Sequence, residues 1–181
     1  MKFATVVIIL TTAAMLSACA AKKPQPGTTV SSAEVPPASV EAPEKGPQLS
    51  DDEITRQVFD AVNKQRASSG LTALLASAEL AASAQEHSDR MVAGNFLSTR
   101  GSDEPSAISR ITSHGIKTLK LGEDVVRIKT ASDKVAEDTV AIWMGAGPDQ
   151  KNILSSSFTK AGVGVAHSAD GDYYVSEDFA Q

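Results

Sequence analysis

The chain has 181 residues and a formal net charge of −5; 41% of its residues are hydrophobic but only 4% are aromatic. That length allows one domain of ordinary size plus appendages, and the acidic balance argues against nucleic-acid binding through phosphates. The single cysteine, Cys19, excludes an intramolecular disulfide framework and a multi-thiolate zinc site, and His87, His114 and His167 are the only imidazoles.

Lys2 is the only charge before Lys22, and an apolar run from Phe3 to Met15 leads into Leu16-Ser17-Ala18-Cys19. The run is too short for a comfortable membrane span of about 20 residues. A charged start, a short apolar stretch and small residues at its end describe a signal peptide over residues 1–18. Its ending resembles a bacterial lipoprotein signal, in which the cysteine is acylated and becomes the first mature residue. The resemblance implies lipid attachment at Cys19, a membrane as partner and residence in a bacterial cell envelope. Ala20 follows, and in a diderm host the absence of Asp there resembles the default for outer-membrane sorting. Residues 19–48 hold Pro24, Pro26, Pro36, Pro37, Pro43 and Pro47 among Ser, Thr, Ala and Glu. Such a stretch buries too little apolar surface to offset ordering and reads as a semi-extended tether.

The domain spans residues 49–181. Ser50-Asp51-Asp52-Glu53 starts a helix with a capping Ser and acids in the first turn. Ile54, Val58, Phe59 and Val62 give it one apolar face up to about Arg66, and Ser69-Gly70 stops it. A second helix runs from Ser77 to Gly94 with Leu80, Ala84, His87 and Met91 along one face, and Ala81, Ala82 and Ala84 predict a close neighbour. A third fits Ser102 to His114, with Ile108 and Ile111 inward and Gly115 at its end. Val125–Ile128 reads as a short strand. A fourth helix, from about Ser132 to Met144, is expected to bury Val135, Val140, Ile142 and Trp143 before Gly145, Gly147 and Pro148 break it. Ala161–Ala166 and Tyr173–Ser176 flank Asp170-Gly171 and predict a hairpin. Helices first, hairpin last and no βαβ alternation give an α+β domain with antiparallel strands.

The order of these features resembles the CAP superfamily (cysteine-rich secretory, antigen-five and pathogenesis-related-one proteins), in its bacterial single-domain form. Val62-Asn63-Lys64-Gln65-Arg66 followed by Gly70-Leu71 and Leu74 is similar to the family's opening, and His87-Ser88-Asp89-Arg90-Met91 with Gly94-Asn95-Phe96 to its next landmark. Gly122-Glu123-Asp124, Trp143-Met144, Asn152-Ile153-Leu154, Phe158-Thr159, Gly162–Val165 and Tyr173–Phe179 follow in order. The resemblance covers nearly all of residues 53–181 and implies an α–β–α sandwich with a small antiparallel sheet. In many members a cleft holds a divalent ion, often zinc, between two histidines and acidic residues. Ser98 and Asp149 stand at the two histidine positions here, Ala146 at a second acid position, and of the cleft ligands only Glu123 is carried over.

Zinc prefers four ligands with imidazole or thiolate among them, so the resemblance implies a degenerate metal cleft. No cofactor is expected, beyond a weakly held Ca²⁺ or Mg²⁺ on oxygen ligands. Ser98, Glu123, Asp149 and His87 are the candidate cleft residues; no catalytic residue is assigned. His87 reads as a hydrogen-bonded core or cleft-wall residue, His114 as a helix-end charge, His167 as solvated, and Asn63 and Arg66 as ties between helix and loops. Ser157-Phe158-Thr159-Lys160 spells Ser-x-x-Lys but lacks the companion motifs of penicillin-recognising enzymes. Lys117, Lys120, Arg127 and Lys129 form a basic cluster that faces either solvent or an anionic envelope polymer. Three functions remain open: a lipid-anchored, non-enzymatic binding module for an envelope ligand or protein, a metal-assisted hydrolase of envelope or peptide material, and a structural envelope lipoprotein. The loss of both cleft histidines favours the first and third.

Overall fold

The computed structural model describes residues 48–99, 105–118 and 120–181. The signal peptide, Cys19 and the tether through residue 47 lie outside the described residues, as does the expected start of the third helix.

Helix α1 spans Asp51–Ser68, and Ser50 caps it by accepting a hydrogen bond from the Glu53 amide. Its Ile54, Val58 and Val62 are fully buried. Gly70 follows with φ +72°, a left-handed turn that costs glycine little. The two-residue strand β1 (Leu75–Ala76) leads to α2 (Ala78–Gly94), capped by Ser77. Helix α3 is Ala107–Ser113, β2 is Leu121–Ile128, and a 3-10 turn at Ser132–Lys134 opens α4 (Val135–Gly145). Helix α5 (Gly147–Ile153) precedes the hairpin of β3 (Lys160–His167) and β4 (Tyr173–Ala180).

The sheet order is β1-β3-β4-β2. Strands β3 and β2 both run antiparallel to β4, whereas β1 is parallel to β3. The expected antiparallel sheet is therefore mixed, because a two-residue strand enters from the loop before α2. One sheet face packs α1, α4 and α5 around Val126, Val163, Val165, Val175 and Phe179, with Val140 and Trp143 facing them. The other carries α2, with a small cluster of Leu80, Ile111 and Ala180 beneath α3. This is the α–β–α sandwich.

The close approach foreseen from alanines is made by glycines. A Cβ on Gly162 would lie 2.0 Å from the Ala81 nitrogen, and one on Gly164 2.2 Å from the Gln85 nitrogen. Ala84 is buried in this contact, while Ala82 faces outward. Two expected core residues are exposed. Ile108 is 55% exposed because the short α3 docks through Arg110 and Ile111, leaving its first turn outside. Ile142 is 46% exposed because the buried stripe of α4 is Val135, Ala136, Thr139, Val140 and Trp143, and position 142 falls off that helical period. Gly147-Pro148 begins α5 instead of simply breaking α4, since proline is tolerated in the first helical turn.

Candidate functional site

Strands β2 and β4 carry acidic doublets at the same level: Glu123 pairs with Asp178 and Asp124 with Glu177. Successive strand side chains leave on opposite faces. Glu123 and Asp178 therefore project toward α2 and α3, Asp124 and Glu177 toward α1 and α5. All four are buried.

On the α2 face, Arg110 forms an ion pair with Glu123 in which both side chains are at most 2% exposed. His87 Nε2 donates to the Ser98 carbonyl at 2.7 Å and lies 3.9 Å from Glu123 Oε1. Its ring is held 6.2 Å from that of Phe96. Burial pushes Asp178 up to about 6, against the pull of the nearby Ser83 hydroxyl and of the Arg110 and His114 charges. Ser88 bridges the layers, donating to the Gly164 carbonyl at 3.0 Å and lying 3.1 Å from Ser176 Oγ.

On the opposite face, Asn152 Nδ2 donates to Asp124 Oδ1 at 2.6 Å. Burial raises Asp124 to about 8, and the neighbouring Asp149 carboxyl adds to the rise. Asp149 is itself raised, chiefly by burial. Glu177 is fully buried and held well above the carboxylate range, first by desolvation and then by Asp124 and Asp178. Arg66 lies close enough to oppose that shift, yet its hydrogen bonds go to backbone: Thr72 O at 3.0 Å, Ile153 O at 2.7 Å, Ser155 O at 2.8 Å and Phe158 O at 3.3 Å. Asn63 clasps both polar groups of Leu74, accepting from N at 2.7 Å and donating to O at 3.2 Å. Both residues are the helix-to-loop ties expected of them.

The four candidate cleft residues do not form one ligand set. His87 and Glu123 are neighbours; Ser98 meets them through its backbone carbonyl; Asp149 belongs to the other face, beside Asp124. Arg110 holds Glu123 Oε1, and no group of three or more His, Cys, Asp or Glu residues placed to hold a metal occurs among the described residues. With Ser98 and Asp149 apart from Glu123, these side chains do not assemble the zinc set that the resemblance implies. His114 stands at the C-terminal end of α3 and meets Glu86 at 2.7 Å; His167 is exposed and meets Asp51 at 3.1 Å. Arg127 leaves the basic cluster to pair with Asp172 at 2.6 Å and stack on Tyr174 at 5.1 Å. Ser157 sits in a turn and Lys160 opens β3, both exposed. A cavity of about 480 Å³ beside Arg66, Leu71 and Phe158 does not include Glu123 in its lining.

Sequence reading did not assign roles to Arg110, Asp124, Glu177 or Asp178. The available signal was the pair of acidic doublets set in otherwise apolar strand sequence, which requires a buried cation or protonation.

A family model described as the cysteine-rich secretory protein family (CAP) matches residues 59–179. The protein YkwD of Bacillus subtilis (strain 168) is 28% identical over 149 residues, covering 82% of this chain and 52% of its own length. The chain thus spans about half of that relative. An extracellular SCP-domain protein from Bacillus anthracis has a TM-score of 0.61 at 25% identity, over 72% of this chain and 41% of that one. An outer surface protein from Borrelia burgdorferi shares the fold at a TM-score of 0.64 and 13% identity, over 74% of this chain and 96% of its own.

Proposed function

Because the chain belongs to the cysteine-rich secretory protein (CAP) family, whose matched relatives include extracellular and surface proteins, we propose that it is a lipid-anchored binding module of a bacterial cell envelope and not an enzyme. The observation that carries this reading is the Arg110–Glu123 pair. A general acid or base has to reach the proton that it moves, and a metal ligand has to be reached by the ion. Glu123 is withdrawn from both at 2% side-chain exposure, with Oε1 held by a buried guanidinium. His87, its imidazole neighbour, is engaged by the Ser98 carbonyl. The site is a closed electrostatic tie between α3, α2 and β2, and binding is left to the surface.

Anchoring rests on the sequence around Cys19. Among the described residues no helix is long and apolar enough to cross a membrane. One acyl chain binds membranes only marginally, about 10⁴ M⁻¹, so durable attachment needs two or more. Cell fractionation of Cys19→Ser tests the anchor: the variant moves to the soluble fraction, whereas unchanged membrane association contradicts it. On the enzyme side, turnover of envelope peptides that Glu123→Gln abolishes would contradict the binding-module reading.

A further inference from the structure

Strand β3 is bonded to β4 along one side, but along the other only Lys160 and Ala161 pair with a strand, β1. After Ala76 the chain turns into α2, and the edge from Gly162 to His167 has no strand beside it. The odd-numbered residues direct their peptide groups to this edge. The Ala161 carbonyl accepts from Ser77 N at 3.0 Å. At Val165 both groups are taken by one side-chain amide: Val165 N donates to Gln85 Oε1 at 3.0 Å, and Gln85 Nε2 donates to Val165 O at 2.8 Å. Val163 lies between, and among the described residues its edge N–H and C=O have no partner. An unpaired peptide group costs about as much as a lost hydrogen bond. Gln85 thus stands in for one residue of a missing strand, and the place for the next is open.

Two cavities flank the Gln85 amide along this edge. One, about 230 Å³, brings Val163 together with Phe59 of α1 and Ala81 of α2. The other, about 270 Å³, lies between Val165–His167 and Val92 of α2. Their walls carry Asp51, Asp52 and Asp89, of which Asp51 meets His167 Nδ1 at 3.1 Å and Asp89 accepts from Gln85 Nε2 at 3.0 Å. Arg56, which lines the smaller cavity, is held by Glu53 at 2.5 Å and Asp60 at 3.2 Å.

We propose that the free edge of β3 takes an extended segment of a partner protein as an added strand, with apolar and basic residues alternating along it. Backbone pairing supplies the attachment, the two sockets take alternate apolar side chains, and Asp52 and Asp89 select the basic ones. The proposal rests on the binding-module reading and names the partner's chemistry. A second copy brings the same acidic rim and is repelled. The chain's own residues 19–48 balance Lys22, Lys23 and Lys45 against Glu34, Glu41 and Glu44 and bring no net positive charge.

The probe is an acetylated heptapeptide alternating valine and lysine, with its valine–aspartate counterpart as control, titrated into the full-length chain by fluorescence anisotropy. The lysine peptide binds at least about tenfold tighter than the aspartate one and slows hydrogen exchange at the Val163 amide. Gln85→Ala raises its affinity severalfold, because the side-chain amide no longer has to be displaced. Asp52→Lys with Asp89→Lys, both exposed positions, lowers it by about tenfold, and this arm stands even if Gln85→Ala does not fold. Equal binding of the two peptides, indifference to the charge swap, or no binding overturns the proposal. So does a Val163 amide as protected in the free chain as those of Gly162 and Gly164, which would mean that the chain's own segment fills the edge, or a dimer that excludes the peptide. None of these results bears on membrane anchoring or turnover, so failure here is distinct from failure of the binding-module reading.

Discussion

Arg110 converts what resembles a metal ligand into a structural carboxylate. Both partners are out of water, and removing either would leave an uncompensated buried charge, a loss of about 3–5 kcal/mol. The acids on the opposite face solve the same problem by keeping their protons. Asp124, raised to about 8, and Glu177, raised well above its ordinary value, hold protons more tightly in the native state than in the unfolded chain. Their contribution is fully present below the unfolded carboxylate range, declines as pH rises and is lost above the folded value. The domain is therefore expected to resist urea better at pH 5 than at pH 8. Asp124→Asn mimics the protonated acid and keeps an acceptor for Asn152. It should stabilise the chain at pH 8 by about 1–3 kcal/mol and flatten the pH profile. A profile that rises toward pH 8, or one that the variant leaves unchanged, contradicts the assignment.

At the scale of elements, α2 rests on β3 because Gly162 and Gly164 let backbone meet backbone. Gly164→Ala places a methyl group 2.2 Å from the Gln85 nitrogen. It should cost about 1–3 kcal/mol or more and lower the melting temperature, while an exposed control such as Gly145→Ala, where an added methyl meets nothing within 4 Å, changes it little. The helix periods, the Ser50 and Ser77 caps, the Gly115 stop and the Gly171 hairpin were all legible in the sequence, because each is a local signal in spacing or turn chemistry. Strand β1 was not: two residues have no period, and Leu75–Ala76 pair only because β3 is beside them. Helix α5 was hidden by reading Gly147-Pro148 as a terminator. The site was legible only in part. Glu123 and His87 could be singled out from sequence, but the arginine that takes up the Glu123 charge lies 13 positions before it on α3, and its role depends on how that helix docks. Asp149 seemed to belong with Glu123, yet alternation along β2 puts its neighbour Asp124 on the other face of the sheet.

At the scale of the whole molecule, the sandwich buries its paired acidic doublets and leaves part of the β3 edge without a strand beside it. Ahead of that domain the sequence carries a lipoprotein-like signal ending at Cys19 and a proline-rich stretch. A family relationship alone would suggest a zinc-binding cleft. The arrangement around Glu123 argues otherwise, since borderline Zn²⁺ gains most from imidazole and thiolate and the Glu123 carboxylate is paired with Arg110. The most direct test is calorimetric titration of the full-length chain with Zn²⁺, alongside Glu123→Gln. The account predicts no stoichiometric tight site in the natural chain and no difference between the two proteins. One zinc per chain bound at submicromolar Kd and lost in Glu123→Gln would contradict it, showing that Arg110 yields the carboxylate to a metal.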